Sequence, residues 1–196
     1  PKTVDASWST EQFTYNGQNQ YPTATYAGIG FTYKTEESSK NVGTYTISIE
    51  SIDNTNYVIS ETSKSHTYSI SPLTANFSWG FNSNKTNATN VTYDGTTRTV
   101  SAYVSNIKSG DVVKIKYNVS AFDIKNAGTY QFTVIGLEND NYTFDPSRSD
   151  TSKEIKISPR TISLSWGFNG LTTDARNFTY DGIKRTVTAY VSNAIG

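Results

Sequence analysis

The phrase "TYDGTTRTVSAYVSN" at 92–106 returns as "TYDGIKRTVTAYVSN" at 179–193, with 12 of its 15 positions unchanged. A repeat of this kind constrains the fold strongly, because each copy must bury its own apolar face or share a core with its neighbours. Other landmarks recur in the same order. "PKTVDASW" at 1–8 matches "PLTANFSW" at 72–79 and "PRTISLSW" at 159–166. "FTYNG", "VTYDG" and "FTYDG" follow. "KNVGTYTISI" at 40–49 matches "KNAGTYQFTV" at 125–134, "NTNYVIS" matches "ENDNYTF", and "YSISP" matches "IKISP".

These landmarks divide the chain into repeat one at 1–71, repeat two at 72–158 and an incomplete repeat three at 159–196, which holds first strands only. Repeat one is the short form. Its missing residues are expected in loops and strand ends, where length change is tolerated. The chain starts without Met or a leader-like stretch, and is expected to be an interior piece of something longer.

Each repeat reads as β. Leu73, Ala75, Phe77, Trp79 and Phe81 alternate with small or polar residues, as do Ile162, Leu164, Trp166 and Phe168. Period two means a strand with one buried face. Val100, Ala102 and Val104 alternate in the same way inside the repeated phrase. Further strands are expected at 112–119, 129–135 and 153–157. Asn16-Gly17, Asp94-Gly95, Asp181-Gly182 and Ser109-Gly110-Asp111 mark turns. No window carries a 3.6-residue apolar period, so essentially no helix is expected. Pro22 stands where Val100 and Val187 stand in the later copies. A proline removes a ladder donor, so that strand should start later or lie at an edge.

Short strands separated by turns predict an all-β chain of tandem small antiparallel β-sandwich modules, immunoglobulin-like and arranged in a rod. The alternative is β-grasp-like modules, which require a helix on the sheet. Trp8, Trp79 and Trp166 lie on the apolar face of the first strand and are expected in the structural core. Tyr45 and Tyr130, in "GTY", fit a tyrosine corner whose hydroxyl bonds back to the main chain, and are expected to be buried.

The 17 basic and 17 acidic residues cancel, so no nucleic-acid footprint appears. No apolar run is long enough for a membrane helix, and no membrane insertion is expected. Cys and Met are both absent. That excludes disulfides and thiolate sites and leaves little for oxidants to attack. Life outside a cell and compositional drift in an AT-rich genome explain this equally.

No catalytic, cofactor or metal residues are assigned, and ligand-binding residues are unknown. His66 stands alone and has no counterpart in the other repeats. Glu36-Glu37 are neighbours in a polar segment, whereas glycosidase chemistry needs two carboxyls facing across a cleft. "IDNTN" and "ENDNY" could offer oxygens to Ca²⁺, but Asn and Asp in turns more often cap their own backbone. Lys64 and Lys153 match between repeats, but no Asn and acid recur with them to suggest an isopeptide cross-link.

The series of Trp, (F/V)TY(N/D)G, N(V/A)GTY, NY and ISP resembles the MBG/YDG type of bacterial surface repeat, and bacterial immunoglobulin-like repeats more broadly. The resemblance implies tandem modules in long, secreted, often cell-wall-attached proteins, many of them adhesins, and brings no active-site residues. The expected function is a non-catalytic stalk or spacer, extracellular, at the cell surface or in the cell wall of a bacterium. Two alternatives stay open: an adhesive module for host glycan or protein, and accessory repeats of a secreted carbohydrate-active enzyme. Expected partners are neighbouring repeats of the same parent chain, joined through one proline without a Gly/Ser linker. Repeat three is expected to be ordered by packing on repeat two or by strand exchange with another chain.

Overall fold

The computed structural model describes residues 1–34, 39–170 and 177–195. Glu36-Glu37 lie outside the described residues. The chain is all-β with several sheets, consistent with a β-sandwich. Among the described residues a 3-10 turn at Ser149–Thr151 is the one helical element.

The pairings of residues 1–71 recur, pair for pair, in residues 72–158. Lys2–Val4 runs parallel to Tyr57–Ile59, as Leu73–Thr74 runs parallel to Tyr142–Thr143. Gln12–Thr14 runs parallel to Ser65–Ser71, as Val91–Thr92 does to Ser152–Ser158. Phe31–Tyr33 pairs antiparallel with Gly43–Ile52, as Lys114–Tyr117 does with Gly128–Glu138. Two four-stranded sheets result, with orders 12–14, 65–71, 43–52, 31–33 and 91–92, 152–158, 128–138, 114–117. The expectation of purely antiparallel sheets is corrected by the parallel pairs. A period of two sets which face is buried but not the direction of the neighbouring strand.

The last two antiparallel pairs share a register shift, between Thr32 and Tyr33 and between Lys116 and Tyr117. A bulge re-aims the side chain that follows it. Here the phenols of Tyr33 and Tyr117 reach the backbone of the strands Ala24–Thr25 and Arg98–Val104. The Ala24 N–H donates to the Tyr33 hydroxyl at 2.7 Å, and the Ala102 N–H donates to that of Tyr117 at 2.9 Å. Proline acts as its position suggests: the strand of repeat one is Ala24–Thr25, two residues past the buried Pro22.

The repeated phrase builds the same turn twice. Asp94 Oδ1 accepts the Thr96 N–H at 2.9 Å, and Arg98 donates to Oδ2 at 2.6 Å. Asp181 accepts the Ile183 N–H at 2.9 Å and is clamped by Arg185 through both carboxylate oxygens. Hydrogen bonding to Arg98 holds the Asp94 carboxyl far below the usual range, and Arg185 takes that of Asp181 down to about 2. Thr99 and Thr186 each donate their N–H to an asparagine at positive φ, Asn82 and Asn169.

Two compact units emerge from the chain's contacts. The first comprises 1–79, 102–120 and 132–152, and the second 80–101, 121–131 and 153–196. In the first unit Val4, Ala6, Ala24, Ile49 and Ile59 form a core cluster, with Trp8 packed against it. Burying each of its Val and Ile side chains contributes about 1.5–3 kcal/mol. The second unit includes the antiparallel hairpin of Leu164–Phe168 with Val187–Val191.

Candidate functional site

Among the described residues no three His, Cys, Asp or Glu side chains converge as a metal site would require. The His66 ring stacks on Trp8 at 5.1 Å between centroids, and its Nε2 is buried with no hydrogen-bond partner among the described residues. The Asx-rich turns cap their own backbone: Asn54 Oδ1 accepts the Asn56 N–H and Asn139 Oδ1 accepts the Asn141 N–H. Lys64 is half-exposed and pairs with Glu61 at 3.3 Å.

The most built polar cluster is the joint where residues of repeat one meet residues of repeat two inside the first unit. Tyr15, from the "TYNG" turn, donates its hydroxyl to Asp111 Oδ2 at 2.6 Å. Tyr142, from "NDNY", donates to the same oxygen at 2.7 Å. The Lys108 N–H in turn donates to the Tyr142 hydroxyl at 2.8 Å. The two rings meet edge to face at 5.6 Å, and both are buried. A charge taken from water needs such partners, and phenol donors to a carboxylate are among the stronger hydrogen bonds.

The electrostatics follow. Burial opposes the charge on Asp111, but the two hydroxyls and nearby Lys40 outweigh it and lower its pKa. Burial first, then the hydrogen bond and charge of Asp111, push the Tyr15 phenol up to about 12. Burial also raises Tyr142. The carboxylate is ionised and both phenols are neutral across the ordinary pH range.

Asparagines close the joint's other side. Asn141 Oδ1 accepts the Val42 N–H at 2.9 Å, and its Nδ2 donates to Asn41 Oδ1 at 3.1 Å. Its main-chain carbonyl accepts the Leu73 N–H at 3.0 Å. Gly17 makes the close approach possible. At φ +82°, a Cβ there would lie 3.0 Å from Lys108 Cβ.

The residues expected in the core divide. Trp79 is buried at 8% exposure, with Nε1 donating to the Asp150 carbonyl and the ring against Tyr117 and Phe132. Trp8 is half-buried in the matching place, donating to the Ser63 carbonyl and facing Tyr33. Trp166 is a correction: it is 50% exposed, because among the described residues its sheet has two strands and nothing covers this face. Tyr45 and Tyr130 are half-buried, not buried as expected. Their hydroxyls nevertheless make the corner bond, to the carbonyls of Asn41 at 3.0 Å and Asn126 at 2.8 Å. Each ring lies over the glycine two residues before it, Gly43 and Gly128. The sequence places Asp111 in the Ser109-Gly110-Asp111 turn and Asn141 in the Asx-rich "ENDNY" turn, weighed above as a backbone cap or a source of oxygens for Ca²⁺. Neither setting points to the contacts that Asp111 makes with Tyr15 and Tyr142 or Asn141 with Asn41 and Val42.

Comparison with protein-family models, with curated proteins and with solved structures finds no match to this chain.

Proposed function

We propose that the chain is a run of tandem immunoglobulin-like β-sandwich modules, 1–71, 72–158 and the first strands of a third at 159–196. They serve as a non-catalytic spacer in a bacterial surface protein of the MBG/YDG kind. The observation that carries this reading is the joint. Tyr15, Asp111, Tyr142, Asn41 and Asn141 tie successive repeats directly. No flexible linker intervenes, so the polar contacts are not stretched over a loose tether. A spacer needs its modules held in register, and a carboxylate gripped by two phenols resists shear through directional bonds.

The recurrence of the same pairings in 1–71 and 72–158 supports the module reading, and the absence of Cys and Met suits an oxidising exterior. A glycan array, run with a panel of host matrix proteins, tests the role. The 196-residue chain is expected to bind none of them. Saturable binding to a defined glycan or protein would overturn the spacer role in favour of adhesion.

A further inference from the structure

The second unit repeats the lining of the first joint around a cavity. A cavity of 390 Å³ is lined by Tyr93, Asn126, Ala127, Arg160, Ile162 and Ile195, among others. By the repeat alignment these correspond to Tyr15, Asn41, Val42, Leu73, Ala75 and Lys108. In the first joint each of those six touches Asp111, Asn141, Tyr142 or Thr143. Tyr15 donates to Asp111, while Asn41, Val42 and Leu73 bond Asn141. The Ala75 N–H donates to the Thr143 carbonyl, and the Lys108 N–H to the Tyr142 hydroxyl. The register is also the same. Gly95, at φ +76°, would place a Cβ 2.7 Å from Ile195 Cγ2, as Gly17 would near Lys108.

A second observation points to the same occupant. Val100 is fully buried, and its counterpart Val187 is 57% exposed. Phe77 and Trp79 are buried, and their counterparts Leu164 and Trp166 are exposed. Yet the hairpin's polar framework is already native-like. The Ser163 N–H donates to Asn193 Oδ1 at 2.7 Å, as the Asn76 N–H does to Asn106 at 2.9 Å. In repeat two, Tyr117 and Phe132 lie against Trp79, and Tyr142 and Asp111 fill the joint. All four belong to 110–158.

We propose that the 164–168/187–191 hairpin and the Tyr93 cavity form one acceptor site for a half-module of the 110–158 type. Its aspartate seats on the Tyr93 hydroxyl, its Asn-Tyr turn seats on Asn126 and Ala127, and its aromatic strand covers Trp166. Edge addition supplies main-chain bonds, and the apolar face and the aspartate set specificity. The inference rests on the repeat alignment, not on the spacer role. Glycan binding would sink that role and leave this site standing.

The probe is a synthetic peptide of residues 110–158, which contains no Trp, added to the 196-residue chain. Binding is read as a blue shift of Trp emission and a loss of acrylamide quenching as Trp166 is covered. Saturable binding is expected, weakened at least tenfold by Asp111→Asn in the peptide or Tyr93→Phe in the chain. Circular dichroism of Tyr93→Phe confirms that the variant folds. Absence of binding overturns the proposal, as does binding indifferent to both substitutions. It is equally overturned if the chain alone is a dimer with Trp166 already shielded.

Discussion

Tyr15 and Asp111 stand 96 residues apart in the chain and share a 2.6 Å hydrogen bond. Asp111 is the only acceptor for the hydroxyls of both Tyr15 and Tyr142 among the hydrogen bonds described. Asp111→Ala leaves two buried phenols without it. An unsatisfied buried donor costs about 1–3 kcal/mol, so a loss of roughly 2–4 kcal/mol is expected. Urea denaturation measures it. Tyr15→Phe removes one donor and is expected to cost less, on the order of 1 kcal/mol. Equal midpoints for wild type and Asp111→Ala would refute the joint.

The same contact sets the alkaline limit. The Tyr15 phenol is raised in the folded chain, so its contribution is complete below the unfolded value near 10 and fades as pH climbs toward about 12. Wild-type stability should therefore fall across that window, and Tyr15→Phe should flatten the fall. Asp111 has the opposite sign. Its lowered pKa stabilises the fold above the ordinary carboxylate value of 3.8, and that stability is lost as pH drops through the folded value. Urea midpoints measured across pH test both limbs.

Gly17 and Gly110 have nearly the same positive φ, +82° and +83°, but different surroundings. A Cβ on Gly17 meets Lys108 at 3.0 Å, whereas one on Gly110 meets nothing within 4 Å. Gly110→Ala should cost only the left-handed strain of about 1–2 kcal/mol. Gly17→Ala should cost more, because the joint must open. Matching losses in thermal denaturation would argue that the turn touches nothing across the joint.

Two tryptophans at the same repeat position should respond differently. Trp79 is buried, and Trp79→Ala should cost about 3–5 kcal/mol. Trp166 is half-exposed, and Trp166→Ala should cost less than about 1 kcal/mol in the chain alone. A comparable cost at both sites, measured by guanidinium unfolding, would mean that Trp166 is packed in solution.

Much of the local structure was legible in the sequence. The alternation around Trp79 and Val100 set strands and their buried faces. The Asp94-Gly95 and Asp181-Gly182 turns stand where the glycines reach positive φ, and Pro22 delays its strand to Ala24. These outcomes depend on one residue and its near neighbours, where sterics and side-chain period decide. Tertiary structure alone determined that Lys2–Val4 and Gln12–Thr14 pair parallel, that Asp111 receives two phenols from distant turns, and that Trp166 stays in solvent while Trp79 does not. Alternation gives a strand a face but no direction, and an aspartate in a turn shows only a preference for turns. Burial belongs to whatever covers a face, which for Trp79 comes from strands far along the chain and for Trp166 is absent from the two-stranded hairpin that carries it.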